Sequence, residues 1–182
     1  MSLATVPNLL SVSRIVIGVF IVFSLDNIPL FWLLLTFAMA VLSDIFDGWL
    51  ARSQAQDSPI GTLIDHTSDA VFVTIITSRL AFDGLVPWLL PILICVSFLQ
   101  YAFDYRILRL PSFRSSRIGR LNGIAYYVVS GVGILLFSAS QSVLFEKIFY
   151  YSAVVLIITT LCSMAERAFV VLQKQQRSML RK

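Results

Sequence analysis

Four aspartates are the residues in this chain best placed to do chemistry. The sequence holds ten acidic side chains, and Asp44, Asp47, Asp65 and Asp69 fall within one short stretch of it. Asp44 and Asp47 are three residues apart and Asp65 and Asp69 four apart, so on helices each pair shares one face. A short connection through Asp57-Ser58-Pro59 lets the two helices run antiparallel and bring those faces together. Carboxylates converging at membrane depth repel one another and lose hydration, a cost that bound cations relieve. Hard oxygen ligands favour Mg²⁺, Mn²⁺ or Ca²⁺ over zinc, and four carboxylates suffice for two such ions. The competing reading makes the same residues polar glue between helices, paired with Arg52. Gly48 and Gly61 allow close approach of backbone or ligand, or simply close helix packing. Arg52 is within reach of a phosphate held by metal, or anchors the topology.

The elements that must position these residues are membrane helices. The 182-residue chain is 58% hydrophobic and 13% charged, with a mean hydropathy of +0.85, too apolar for an ordinary soluble domain. Six spans are expected: Asn8 to Leu25, Pro29 to Leu50, Gly61 to Leu80, Val86 to Leu108, Leu121 to Gln141 and Ile148 to Val171. The fold class is therefore all-α and polytopic, one domain over 1–182, with neither internal repeat nor soluble module. No cleavable signal peptide is expected. Cys95 and Cys162 lie singly in apolar runs and are expected in buried packing. Basic residues cluster between the fourth and fifth spans and after the sixth, which places both termini and the Arg52 loop on the cytoplasmic side. The net charge of +4 is read as topology and headgroup contact, without nucleic acid.

The stretch from Asp44 to Arg52 (DIFDGWLAR), followed after eight residues by Gly61, Asp65 and Asp69, resembles the pattern D-x2-D-G-x2-A-R-x8-G-x3-D-x3-D of the CDP-alcohol phosphotransferase family. Every defined position and gap is matched. The resemblance implies that Asp44, Asp47 and Asp65 ligate Mg²⁺ or Mn²⁺, two ions in all, that hold a donor pyrophosphate. Asp69 would be a further ligand or the general base acting on the acceptor hydroxyl. Gly48, Ala51 and Gly61 would make room for the cytidine nucleotide, with Arg52 nearby. The segment Pro7-Asn8-Leu9-Leu10-Ser11-Val12-Ser13-Arg14 resembles the start of the family's first span, where Asn8 and Arg14 would border the donor site.

The implied reaction moves a phosphatidyl group from CDP-diacylglycerol to a small alcohol and releases CMP at the cytoplasmic membrane boundary. Arg106, Arg114, Arg117 and Arg120 form either a pocket for a phosphorylated acceptor, such as glycerol 3-phosphate or inositol phosphate, or a positive-inside loop touching anionic lipid. Many glycerophosphate-type members carry proline after the third Asp and lysine after the fourth; here His66 and Ala70 stand there, and His66 is read as a packing or supporting residue. The alternatives are a transferase moving a CDP-linked head group onto a lipid acceptor and, in another class, a cation transporter. A homodimer is implied by the resemblance. Gly131 and Gly133 in the fifth span suit close packing within or between subunits.

Overall fold

The computed structural model describes residues 6–53, 59–108, 117–138 and 142–179; within its helices the side chains of 6–8, 45, 47–53, 59–60, 104–108, 117 and 174–179 fall outside the description. The described residues form helices only: α1 (Val6–Ser24), α2 (Leu30–Ser53), α3 (Pro59–Phe82), α4 (Leu89–Leu108), α5 (Arg117–Ser138) and α6 (Val143–Met179). Pro59 opens α3 at a position where its missing N–H costs nothing. At its other end α3 stops in a glycine cap. Gly84 takes φ 78°, its N–H reaches Ala81 O and the Leu85 N–H reaches Leu80 O at 2.9 Å, the paired bonds of a Schellman turn.

Helix α3 is the hub. It packs most extensively on α1 and also meets α4 and α5, while α2 leans on α1 and α5, and α6 covers α4 and α5. Its buried side chains Phe72, Val73, Ile76 and Leu80 join Ile21 of α1, Leu25 just beyond it, Leu33 of α2 and Ile134 of α5 in one core. Small residues set the spacing: a Cβ on Gly131 would stand 2.9 Å from the Phe37 ring of α2, and one on Gly133 would overlap Leu80 Cδ1 of α3. Both glycines thus pack within the chain.

The outside of the bundle is apolar. Phe20, Phe23, Trp32, Ile124, Val128, Val155 and Ile158 are all exposed, a surface that water does not tolerate in this quantity. Ile118–Ser138 and Val143–Gln173 are long and apolar enough to cross a bilayer, and only 28% and 33% of their most apolar windows is buried inside the protein. Shorter apolar stretches occupy Leu9–Ser24, Leu30–Asp44 and Leu89–Phe103. Six helices are present, but among the described residues only two pass as spans by length and composition. α6 also runs well beyond the expected Ile148 to Val171. Cys95 and Cys162 are exposed, against the expectation of burial. In this apolar setting the outer surface is as hospitable to a thiol as a core.

At the end of the bundle where α3 stops, Arg79 ties three segments. Its Nε donates to Asp83 at 2.8 Å and its Nη2 to both Asp26 oxygens at 3.0 Å. Its Nη1 reaches Val22 O at 3.3 Å, and its guanidinium lies 5.1 Å from the Phe137 ring centroid. Since α1 and α3 make contact both here and at Arg14, they run parallel, with α2 antiparallel beside them. We expect Gly133→Ala to destabilise the purified protein by roughly 1–3 kcal/mol through overpacking against buried Leu80. Gly123→Ala, where an added Cβ meets nothing within 4 Å, should leave the melting temperature unchanged or raise it slightly; a comparison of thermal unfolding in one detergent checks both.

Candidate active site

The helical spacing read from the sequence does bring the acidic faces together, and a residue of α1 completes the meeting. Arg14 is 0% exposed. Its Nη1 contacts Asp44 Oδ1 of α2 and Asp69 Oδ1 of α3, and its Nη2 lies 2.6 Å from Asp65 Oδ1. Ser11, one turn before Arg14, donates to Asp65 Oδ1 at 3.1 Å. Tyr127 of α5 donates its hydroxyl to Asp69 Oδ1 at 2.7 Å. The three aspartate side chains keep 24–32% of their surface, so the cluster opens on one side while its arginine is sealed behind it.

Among the described residues, three carboxylates share a single monovalent cation, which leaves excess negative charge in a partly desolvated setting. That chemistry fits a hard divalent ion. Asp65, His66 and Asp69 can also bring one ligand atom each within 4.8 Å of one another. His66 is thus a possible ligand as well as a packing residue; its ring meets Tyr101 edge-on at 5.3 Å.

Of the other residues singled out from sequence, Gly61 lies on α3 and is partly buried, and Arg120 is exposed on α5. Asn8, Asp47, Gly48, Ala51, Arg52, Arg106 and Arg117 sit on helices, but their side chains lie outside the described set, and Arg114 lies outside the described residues altogether. The contacts not foreseen are those of Ser11 and Tyr127, and the direct grip of Arg14 on the carboxylates. Polar and aromatic residues interrupting apolar spans were the available signal for them.

A second polar feature lies between α4, α5 and α6. Ser97 and Gln100 of α4, Asn122 and Tyr126 of α5, and Thr160 and Arg167 of α6 line a cavity of about 50 Å³. Tyr126 and Tyr127 are consecutive on α5, so one tyrosine faces the cavity while the next holds Asp69. Arg167 lies 5.2 Å over the Tyr101 ring, the ring whose other neighbour is His66.

An apolar helical bundle with a carboxylate cluster set among α1, α2 and α3 defines a membrane-embedded acidic site. A model of the CDP-alcohol phosphatidyltransferase family matches residues 4–171, and the chain belongs to that family. It is 35% identical over 91 residues to the CDP-diacylglycerol–glycerol-3-phosphate 3-phosphatidyltransferase of Cereibacter sphaeroides, an alignment covering 47% of this chain and 41% of that protein. It is 38% identical over 88 residues to the cardiolipin synthase (CMP-forming) of Rattus norvegicus and 36% identical over 88 residues to that of Homo sapiens, each covering 46% of this chain and 28% of the relative. The matched stretch therefore spans less than half the length of these curated relatives.

Replacing Arg14 by Met should expose how much the cluster depends on its counter-charge. In EDTA we expect a loss of roughly 3 kcal/mol, the low end for a broken buried pair because the carboxylates are partly exposed. Mg²⁺ should recover part of that loss. Equal melting temperatures for wild type and Arg14→Met in EDTA would refute the assignment.

Proposed function

We propose that this chain is a phospholipid-synthesis transferase. It moves the phosphatidyl group of a CDP-linked lipid onto a phosphate-bearing alcohol and releases CMP. The observation that carries the reading is the convergence of Asp44, Asp65 and Asp69, from two helices, on one buried cation. Family membership and the complete motif support the same chemistry. Asp47, whose sequence position puts it on the face of Asp44, completes the proposed metal set with Asp44, Asp65 and Asp69 for Mg²⁺ or Mn²⁺. Ions bound there would neutralise the donor's diphosphate and the charge that develops on departing CMP.

The chain's own residues account for the rest. Asp69 receives the proton of the acceptor hydroxyl as that oxygen bonds to the lipid-bearing phosphorus and the bond to CMP breaks. Tyr127 and Arg14 fix the carboxylate of Asp69 in place for that task. Gly48, Ala51, Gly61 and Arg52, with Asn8 on α1, would border the cytidine nucleotide. The six helices are read as six spans with the acidic end facing the cytoplasm, where the basic segments of the sequence lie. The substrates follow from this placement: the lipid donor enters from the bilayer, with its nucleotide in the aqueous phase.

The experiment is CMP release by the detergent-purified protein supplied with CDP-diacylglycerol, Mg²⁺ and separate acceptors. Asp69→Asn should lower the rate by about 10²–10⁴-fold, the usual worth of a positioned base, and EDTA should abolish it. Tyr127→Phe, which removes one hydrogen bond to a charged group, should cost about 10-fold or more in kcat. CMP release that needs CDP-choline and a diacylglycerol, and none with CDP-diacylglycerol, would replace this reading by head-group transfer.

A further inference from the structure

His66 is the one histidine of the chain, and the transfer reaction proposed above gives it no task. It lies on α3 between two members of the acidic cluster, one residue after Asp65 and three before Asp69. One donor atom from each of Asp65, His66 and Asp69 lies within 4.8 Å of the other two. Donors bound to one ion at about 2.1 Å stand at most about 4.2 Å apart, so small side-chain rotations close the set. The two carboxylates are held in a way that suits this. Ser11 and Arg14 reach Asp65 through Oδ1, and Arg14 and Tyr127 reach Asp69 through Oδ1. Among the described residues no donor engages Oδ2 of either, so each carboxylate is fixed by one oxygen and offers the other.

A pure packing role fits His66 poorly. The residue is exposed, so its ring fills no core space. Tyr101 of α4 meets that ring edge-on at 5.3 Å and is itself backed by Arg167 of α6, 5.2 Å from the tyrosine ring centroid. The stack borders the imidazole on one side, and the carboxylates of its own helix lie within reach of a ring nitrogen. That nitrogen changes which ion the set prefers. Mg²⁺ takes oxygen ligands and gives up its waters reluctantly. Imidazole suits later first-row metals, and affinity at mixed nitrogen and oxygen donors rises along that row from Mn²⁺. We propose that Asp65, His66 and Asp69 form a mixed nitrogen–oxygen metal subsite that selects Mn²⁺, or a later first-row divalent ion, over Mg²⁺. The inference rests on the metal-dependent reading above, to which it adds a ligand and a preference. Asp44, with Asp47 by its sequence position, supplies only oxygen from α2, whereas α3 supplies oxygen and nitrogen. Two ions held there need not be of one kind.

The test uses Mn²⁺ as the probe, on detergent-purified protein carrying no histidine tag, so that any imidazole nitrogen found at the metal belongs to His66. Electron spin-echo modulation of bound Mn²⁺ should show imidazole nitrogen coupling in the wild type and none in His66→Gln or His66→Ala. Titration followed by the free Mn²⁺ signal gives the affinity, and competition with Mg²⁺ gives the preference. His66→Gln, which offers an oxygen in place of the nitrogen, should lower Mn²⁺ affinity by about 10-fold or more and leave Mg²⁺ affinity nearly unchanged. Asp65→Asn should weaken both ions. No bound Mn²⁺, or Mn²⁺ bound without nitrogen coupling, would overturn the proposal on the wild type alone, whatever the variants do. So would an equal preference between the two ions in wild type and His66→Gln. CMP release from CDP-diacylglycerol with Mg²⁺ is assayed on the same preparations. Release without nitrogen coupling would remove the histidine ligand and keep phosphatidyl transfer. Nitrogen coupling without release from any acceptor would keep the ligand and overturn the transfer. Neither metal binding nor release would overturn both.

Discussion

One buried guanidinium organises the functional half of this molecule. Arg14 on α1 faces Asp44 on α2 and Asp65 and Asp69 on α3, so the three helices meet at a point where none could satisfy its own charges alone. Placing an ion in a medium of low polarity costs several kcal/mol even after relaxation, and the cost is recovered only while all partners remain in place. The balance is deliberately incomplete. Among the described residues one positive charge faces three carboxylates, an excess of negative charge that a further cation would relieve. The acidic cluster thus stays folded through Arg14 and stays receptive through its excess negative charge.

Helix α5 carries that arrangement outward. Tyr127 fixes one oxygen of Asp69, while Tyr126, rotated by one residue, belongs to the polar cavity beside α4 and α6. Two environments are built from adjacent positions because successive side chains of a helix point about 100° apart. α6 closes the cavity through Thr160 and Arg167, and its outer face carries Ile148, Val155 and Ile158. One helix thereby supplies polar lining inward and lipid-compatible surface outward.

The helices and the pairing of Asp44 with Asp65 and Asp69 were legible in the sequence because both depend on local periodicity and a short connection. The role of Arg14 was only half legible: its neighbourhood pointed to the donor side, yet its grip on Asp69 spans 55 residues and follows from the packing of α1 on α3. Tyr127 was legible only as a tyrosine interrupting an apolar span; its partner Asp69 lies 58 residues away. The cavity escaped for the same reason, since Gln100, Asn122 and Arg167 come from three helices. The arginines from Arg106 to Arg120 attracted attention through charge; of these, Arg120 has a described side chain, and it is exposed. Cys95 and Cys162 were misplaced because apolar surroundings in a membrane lie outside the protein as well as within it. Spacing reports what one helix does, and contacts between distant helices have no such shorthand.

The clamp at Arg79 has a mechanical meaning for the opposite end of the bundle. Ten residues of α3 separate Asp69 from Arg79, about 15 Å of helix at 1.5 Å per residue, and the interval is filled by Phe72, Ile76 and the apolar side of α1. Two ionic layers thus pin the same pair of parallel rods at both ends. A slip of α1 by one turn, about 5.4 Å, would break Arg79 from Asp26 and Arg14 from its carboxylates in a single step. α1 and α3 behave as a ruler with fixed marks, and the depth at which the acidic cluster sits is set in part by an arginine that never touches it.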